Sequence, residues 1–166
     1  MGVLDALNLD GKNVVITGGG TGLGLEMVRG MAEAGANVAI AGRRQGPIDE
    51  AADMVKGLGC KSMAVSTDVT DTVAVNALFE TVLAEWGDVH ILFNNAGIVR
   101  AAMLHKMTEQ QWDDVVNCHL KGTFNCTQAA IAHMRDQKGG KIVNVTSYAG
   151  IGGNIGQANY CAAKAG

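Results

Sequence analysis

The sequence predicts an α/β fold in which a parallel sheet carries helices on both faces, a doubly wound arrangement. Three observations predict it. Short β-branched apolar runs alternate with helix-length segments along the chain. The apolar residues of the longer segments recur at helical spacing. Glycines gather where a strand gives way to a helix, and neither an internal repeat nor a linker interrupts the alternation.

Each element has its own signal. Asn13 to Thr17 (NVVIT) is a continuous apolar run, as a strand buried on both faces requires. Gly22 to Ala34 reads as a helix with Leu25, Val28 and Ala32 on one face and Gly35 as its stop. Asn37 to Ala41 (NVAIA) is the second strand, and Pro47 then opens a helix to about Leu58. Ser62 to Ser66 is the third strand, followed by a helix from Asp71 to Trp86 that aligns Val75, Leu78, Phe79 and Val82. Val89 to Phe93 is the fourth strand. A long helix then runs from about Glu109 to Arg135, with Trp112, Val116, Leu120, Phe124, Ile131 and Met134 as an apolar stripe. Lys141 to Thr146 is the fifth strand, and a last helix begins near Gln157. Right-handed crossovers then build an open parallel sheet, for which we expect strand order 3-2-1-4-5, in one domain spanning residues 1–166. That last helix has barely begun at Gly166, so the domain reads as incomplete at its C-terminus.

Composition narrows the function. Hydrophobic residues make up 48% of the chain, enough for a sizeable core. Only 17% are charged and the net charge is −3, which argues against a nucleic-acid-binding face. Cys60, Cys118, Cys126 and Cys161 form no CxxC pair, and His90, His105, His119 and His133 share no metal spacing. We therefore expect no metal site, buried free thiols and structural or solvent-facing histidines. The opening MGVLDALNLDGK lacks a basic stretch before an apolar core, and no run reaches the ~18 apolar residues of a membrane helix. A cytoplasmic location without membrane partners follows as the expectation.

Three motifs carry chemistry. Thr17 to Gly24 (TGGGTGLG) follows a strand and opens a helix. Gly18, Gly22 and Gly24 there let the backbone turn tightly and approach a pyrophosphate, which rests on the positive end of the helix. A glycine-rich turn without ligand is the competing reading. Second, the position about 20 residues beyond the glycines, where an acid would bind the ribose of NAD, is Gly42, and Arg43 and Arg44 follow. Guanidinium groups offer paired donors to the 2′-phosphate of NADP. They favour NADP, with NAD as the alternative, against the simpler reading of a solvated basic turn. Third, Tyr160 and Lys164 stand four apart, on one face of a helix. An ammonium beside a phenol favours phenolate and draws its pKa down from about 10 toward the working range. Alone, such a pair also suits an ordinary helix surface.

These residues together resemble the short-chain dehydrogenase/reductases, a family built on the Rossmann fold. Besides the glycine turn and the Tyr–Lys pair, Asn94-Asn95-Ala96-Gly97 follows the fourth strand and Asp68-Val69 follows the third. Asn117 lies in VVNCHLKG, and Ser147 stands thirteen residues before Tyr160. The resemblance runs from about Leu9 to Gly166. It implies an oxidoreductase that interconverts a carbonyl and an alcohol by hydride transfer, with Asn117, Ser147, Tyr160 and Lys164 as its catalytic tetrad. Ser147 would hydrogen-bond the substrate oxygen, and Tyr160 would exchange its proton. Lys164 would hold the nicotinamide ribose and lower the Tyr160 pKa, and Asn117 would hold a water on the proton path. Cofactor contacts would come from Gly18, Thr21, Gly22, Leu23 and Gly24, from Arg43 and Arg44, and from Asp68 and Val69. Asn95, Ala96 and Gly97 would form a backbone floor beside the cofactor, or else a turn that only braces the sheet. The resemblance also implies a homotetramer or dimer, in which the stripe on the long helix meets a second subunit; a plain core face is the competing reading of that stripe. A dinucleotide-binding module without turnover, or an inactive truncated fragment, is the competing reading of the whole chain.

Overall fold

All five residues of β1 (Asn13–Thr17) are buried, as a strand covered on both faces requires. The computed structural model describes residues 7–166, so the first half of the N-terminal segment read above lies outside the described residues. After β1 come α1 (Gly22–Glu33), β2 (Asn37–Gly42), α2 (Gln45–Gly57), β3 (Ser62–Ser66), α3 (Thr72–Trp86) and β4 (Ile91–Asn94). A short 3-10 turn (Leu104–Lys106), α4 (Glu109–Val116), a π-helical turn (Asn117–Lys121), α5 (Gly122–Asp136) and β5 (Lys141–Asn144) follow. The last elements are α6 (Ala149–Gly152) and α7 (Ala158–Ala165). The sheet is parallel, in the predicted order β3-β2-β1-β4-β5.

Strand alternation divides the core in two. Val14 and Ile16 point to one face and pack with Val28 and Ala32 of α1 and Ile48 and Val55 of α2. Val15 points to the other and packs with Leu78, Phe79 and Val82 of α3 and Cys126 and Ala130 of α5. The foot of the sheet is joined by polar groups. Buried Asn13 donates through Nδ2 to Asp88, accepts from Asn37 Nδ2, and its own N–H donates to His90 Nδ1 at 3.0 Å. His90 is thus structural, as expected.

Helix ends follow their caps. The Asp71 side chain accepts from the Val73 N–H, and Gly87 ends α3 in the left-handed region. Thr108 and Gln111 make a reciprocal capping box at the start of α4. The α2 helix begins two residues before Pro47, which needs correcting against the expectation that proline opens it. Its third helical position is still one whose N–H has no partner within the helix, so nothing is lost there.

The larger correction concerns the long helix, which is three pieces rather than one. At the π-helical turn the Gly122 N–H reaches back five residues to the Asn117 carbonyl. The extra residue rotates everything after it relative to a straight helix. The buried face is Val115, His119, Gly122, Cys126, Ala130 and Met134. Of the predicted stripe only Met134 is buried and Val116 half-buried, while Trp112, Leu120, Phe124 and Ile131 are exposed. Small residues take the core side because α5 lies close to the loop after β3: a Cβ on Gly122 would come within 2.6 Å of Val69.

Truncating Phe79, which is 1% exposed, is expected to cost about 3–5 kcal/mol through the cavity it leaves. Val73, 76% exposed on the same helix, should change stability by under about 0.5 kcal/mol when replaced by Ala. Urea midpoints of Phe79→Ala and Val73→Ala check both.

Candidate active site

The ends of β1, β2, β3 and β4 open onto a cleft of about 830 Å3. One side is the turn between β1 and α1. Gly18 adopts a φ of +66° and sits against the loop after β4, where a Cβ would come within 2.9 Å of the Ala96 Cα. A Cβ on Gly24 would come within 2.1 Å of the Gly18 carbonyl, so α1 approaches the turn as closely as only glycine permits. Thr21 caps α1 without a side-chain hydrogen bond, and its first turn holds no acidic residue. The N–H groups and positive dipole end of α1 are thereby available to an anion.

The loop after β4 is fastened to β1 by one hydroxyl. Thr17 Oγ1 donates to the Phe93 carbonyl and accepts from the Asn95 and Ala96 N–H groups, each at 3.1 Å. Asn95 Nδ2 donates in turn to the Thr17 and Gly18 carbonyls. The Asn95 side chain is therefore a brace between the two strand ends, while Ala96 and Gly97 line the cleft. Asp68 and Val69 form another wall. Asp68 Oδ1 accepts from the Thr70 N–H and hydroxyl, and buried Asn125 of α5 donates to the Val69 carbonyl at 2.9 Å.

The predicted cofactor residues Gly18, Thr21, Leu23, Gly24, Arg43, Arg44, Asp68, Val69, Asn95, Ala96 and Gly97 all line this cleft. Gly22 belongs to the turn with a φ of +56° but forms no part of its wall. Arg43 and Arg44 are exposed at the end of β2. The donor set suits a dinucleotide: backbone N–H groups for a pyrophosphate, guanidinium groups for a phosphate beyond it, and no acid at position 42. Arg100 and Asp114, paired at 3.2 Å, stand among its walls, as does Cys118, and no sequence signal marked these three.

Of the predicted tetrad, Asn117 lines the cleft from the start of the π-helical turn, whereas Ser147, Tyr160 and Lys164 are not among the walls. Tyr160 adjoins it at that turn, its ring 5.1 Å from that of His119. The Lys164 ammonium donates to the Val145 carbonyl and lies 5.8 Å from the centroid of the Tyr160 ring, so the two share a helix face as expected. Burial pushes the Lys164 ammonium down, with neighbouring Cys118 opposing. Ser147 Oγ accepts from the Ala149 N–H and keeps its own proton to donate. Asn159, fully buried, holds α7 in place. Its Nδ2 donates to the Arg100 and Gln111 carbonyls, and its Oδ1 accepts from the Tyr160 N–H.

Sequence reasoning passed over Asn159 and His119. A buried asparagine beside a tyrosine carries no spacing signal, because its partners are backbone groups 59 and 48 residues away. His119 was expected to be structural or solvent-facing, and it is buried against Tyr160. Burial also pushes the Cys118 thiol up and that of Cys126 up to about 12, so both stay neutral. Among the described residues no cluster of His, Cys, Asp or Glu is placed to hold a metal.

Replacing Gly24 by Ala should distort the turn and lower both stability and dinucleotide affinity. Gly30→Ala, in the same helix with nothing within 4 Å of the new methyl, should stabilise by about 0.5–1 kcal/mol. Melting curves with and without NADPH separate the two. Burial pushes His119 below its ordinary 6.5, with the Ile98 backbone opposing and the Lys164 charge adding to the fall. The unfolded chain then takes up a proton that the folded one refuses. Stability from this group is complete above pH 6.5 and declines as pH falls below it. A His119→Gln variant should show a shallower acid-side decline in urea midpoint than the parent.

The family model for short chain dehydrogenase matches residues 12–166. The 3-oxoacyl-(acyl-carrier-protein) reductase FabG of Staphylococcus aureus is 41% identical over 157 residues, covering 93% of this chain and 63% of the relative. The FabG of Thermotoga maritima is 40% identical over 160 residues, covering 96% of this chain and 65% of that protein. A crystal structure from Sinorhizobium meliloti, described provisionally as a short-chain alcohol dehydrogenase, superposes with a TM-score of 0.93 at 33% identity, over 96% of this chain and 64% of the other. The chain thus spans somewhat under two-thirds of the length of these relatives. With the parallel five-stranded sheet and the glycine turn at its centre, these matches place the chain in the short-chain dehydrogenase family.

Proposed function

We propose that the protein is an NADP(H)-preferring oxidoreductase that interconverts a carbonyl and an alcohol. The observation that carries this reading is the cleft itself. It joins a glycine turn, an uncapped helix N-terminus and two arginines, and the Tyr160–Lys164 pair adjoins its π-helical turn. Gly18, Thr21, Gly22, Leu23 and Gly24 would hold the pyrophosphate, Asp68 and Val69 the adenine end, and Ala96 and Gly97 the floor. Arg43 and Arg44 would hold the 2′-phosphate that distinguishes NADP. The nicotinamide supplies the hydride when bound.

The chain's own residues handle the oxygen. As negative charge builds there, Ser147 donates a hydrogen bond and Tyr160 gives up its phenolic proton. Lys164, positive and over the same ring, stabilises the phenolate that remains. Asn117, on the exposed start of the π-helical turn, holds a water through which the proton is replaced. A 3-oxoacyl thioester is the substrate class to test first, because the FabG relatives reduce one by name. No helix among the described residues is long and apolar enough to cross a membrane. A cytoplasmic enzyme, dimeric or tetrameric through the exposed apolar side of α4 and α5, completes the reading.

The test uses the full-length natural protein with NADPH and a panel of ketones and 3-oxoacyl thioesters, followed at 340 nm. We expect turnover that falls by at least about a thousandfold in Tyr160→Phe. We also expect Arg43→Ala to lose about ten- to a hundredfold in NADPH affinity, as for a charged hydrogen bond, while NADH binding holds. Binding of NADPH without turnover on any substrate would instead favour a non-catalytic dinucleotide module. Equal affinity for both cofactors, unchanged in Arg43→Ala, would overturn the preference.

A further inference from the structure

We propose that His119 is the positioning residue that sets the ring of Tyr160 for proton transfer, an inference that rests on the role of Tyr160 above. Two polar residues of the π-helical turn, Asn117 and His119, end in different places. Asn117 is exposed on the cleft, whereas His119, two residues later, is 6% exposed and faces α7. Three contacts fix its imidazole. Nε2 lies 3.0 Å from the Ile98 nitrogen and 2.8 Å from the Ile98 oxygen. Gly97 presses on the ring so closely that a Cβ there would come within 2.2 Å of Cε1. Tyr160 meets it edge-to-face, with centroids 5.1 Å apart and planes at 90°.

The imidazole is thus a wedge between the loop that walls the cleft and the helix that carries the phenol. The Ile98 backbone and Gly97 fix the wedge, and the wedge fixes the phenol. Lys164 holds the same phenol ring from another side, 5.8 Å from its centroid. Loss of the imidazole would free the Tyr160 ring to move away from that ammonium. Its alignment with the substrate oxygen would be lost. Binding of the dinucleotide would be unaffected, since His119 is not among the walls of the cleft.

Two variants of the full-length protein separate the ring contact from the hydrogen bond. His119→Phe keeps an aromatic ring and loses the bond to Ile98. His119→Gln keeps a polar group for Ile98 and loses the ring. Three quantities are measured: the NADPH dissociation constant, kcat with the best carbonyl substrate, and the near-ultraviolet circular dichroism of the Tyr160 ring. The dichroism is taken as the difference between each protein and its Tyr160→Phe counterpart. We expect NADPH binding within about twofold of the parent in both variants. In His119→Gln, kcat should fall at least about tenfold and the Tyr160 dichroism at least about twofold. In His119→Phe, kcat should stay within about threefold. Parent-like kcat and dichroism in His119→Gln would overturn the inference. Equal losses in the two variants would overturn it as well, since loss of support for the fold alone would give that pattern. Full turnover in Tyr160→Phe would sink the proton-donor role itself, while the dichroism, taken without substrate, would still report whether His119 sets the ring.

Discussion

The site depends on one saturated hydroxyl. Thr17 Oγ1 has one proton and two lone pairs, and all three are used, across the gap between β1 and β4. In a parallel sheet the two strand ends carry different loops. The Gly18 and Gly19 N–H groups tie the glycine turn to the Ala41 carbonyl of β2. The Thr17 junction ties it to the loop after β4, and Asn95 reinforces that tie by donating to the Thr17 and Gly18 carbonyls. The glycine turn and the loop after β4 are therefore one rigid corner. Buried groups of this kind are costly to leave unpaired, so the corner holds together as a unit.

From that corner the rest is reached by short steps. Gly97 bears on His119, His119 bears on Tyr160, and Asn159 ties α7 to the Arg100 and Gln111 carbonyls. The helix that carries Tyr160 and Lys164 has no side-chain cap at Gln157. Its start is held instead by the fully buried Asn159, through its bonds to those two carbonyls. Electrostatics at the exposed rim matter less. The Arg100–Asp114 pair is part-exposed on both sides and contributes on the order of 0–1 kcal/mol.

The π-helical turn links fold and site. It breaks the long helix where the site needs an irregular backbone, which is where such turns are often found. It also explains the apolar side of α4 and α5. Trp112, Leu120, Phe124 and Ile131 keep a helical period, so they look like a core face in the sequence. The inserted residue and the small side chains at Gly122, Cys126 and Ala130 give the core to the opposite side.

What the sequence by itself determined is what local physics decides. Strand positions, the glycine turn, the order of elements and the spacing of Tyr160 and Lys164 follow from periodicity and from backbone limits. All five predicted strands and their order appear in the sheet, with β4 and β5 shorter than their apolar runs. Spacing marked the cleft walls at Gly18 and Arg43, and the family resemblance marked those at Asp68 and Ala96. Only the tertiary structure decided which side of the long helix is buried, that Asn95 braces rather than merely floors, and that His119 and Asn159 stand behind Tyr160. Each of these depends on partners dozens of residues away, or on a single inserted residue. A one-dimensional pattern carries no trace of a contact whose partner is a distant backbone carbonyl.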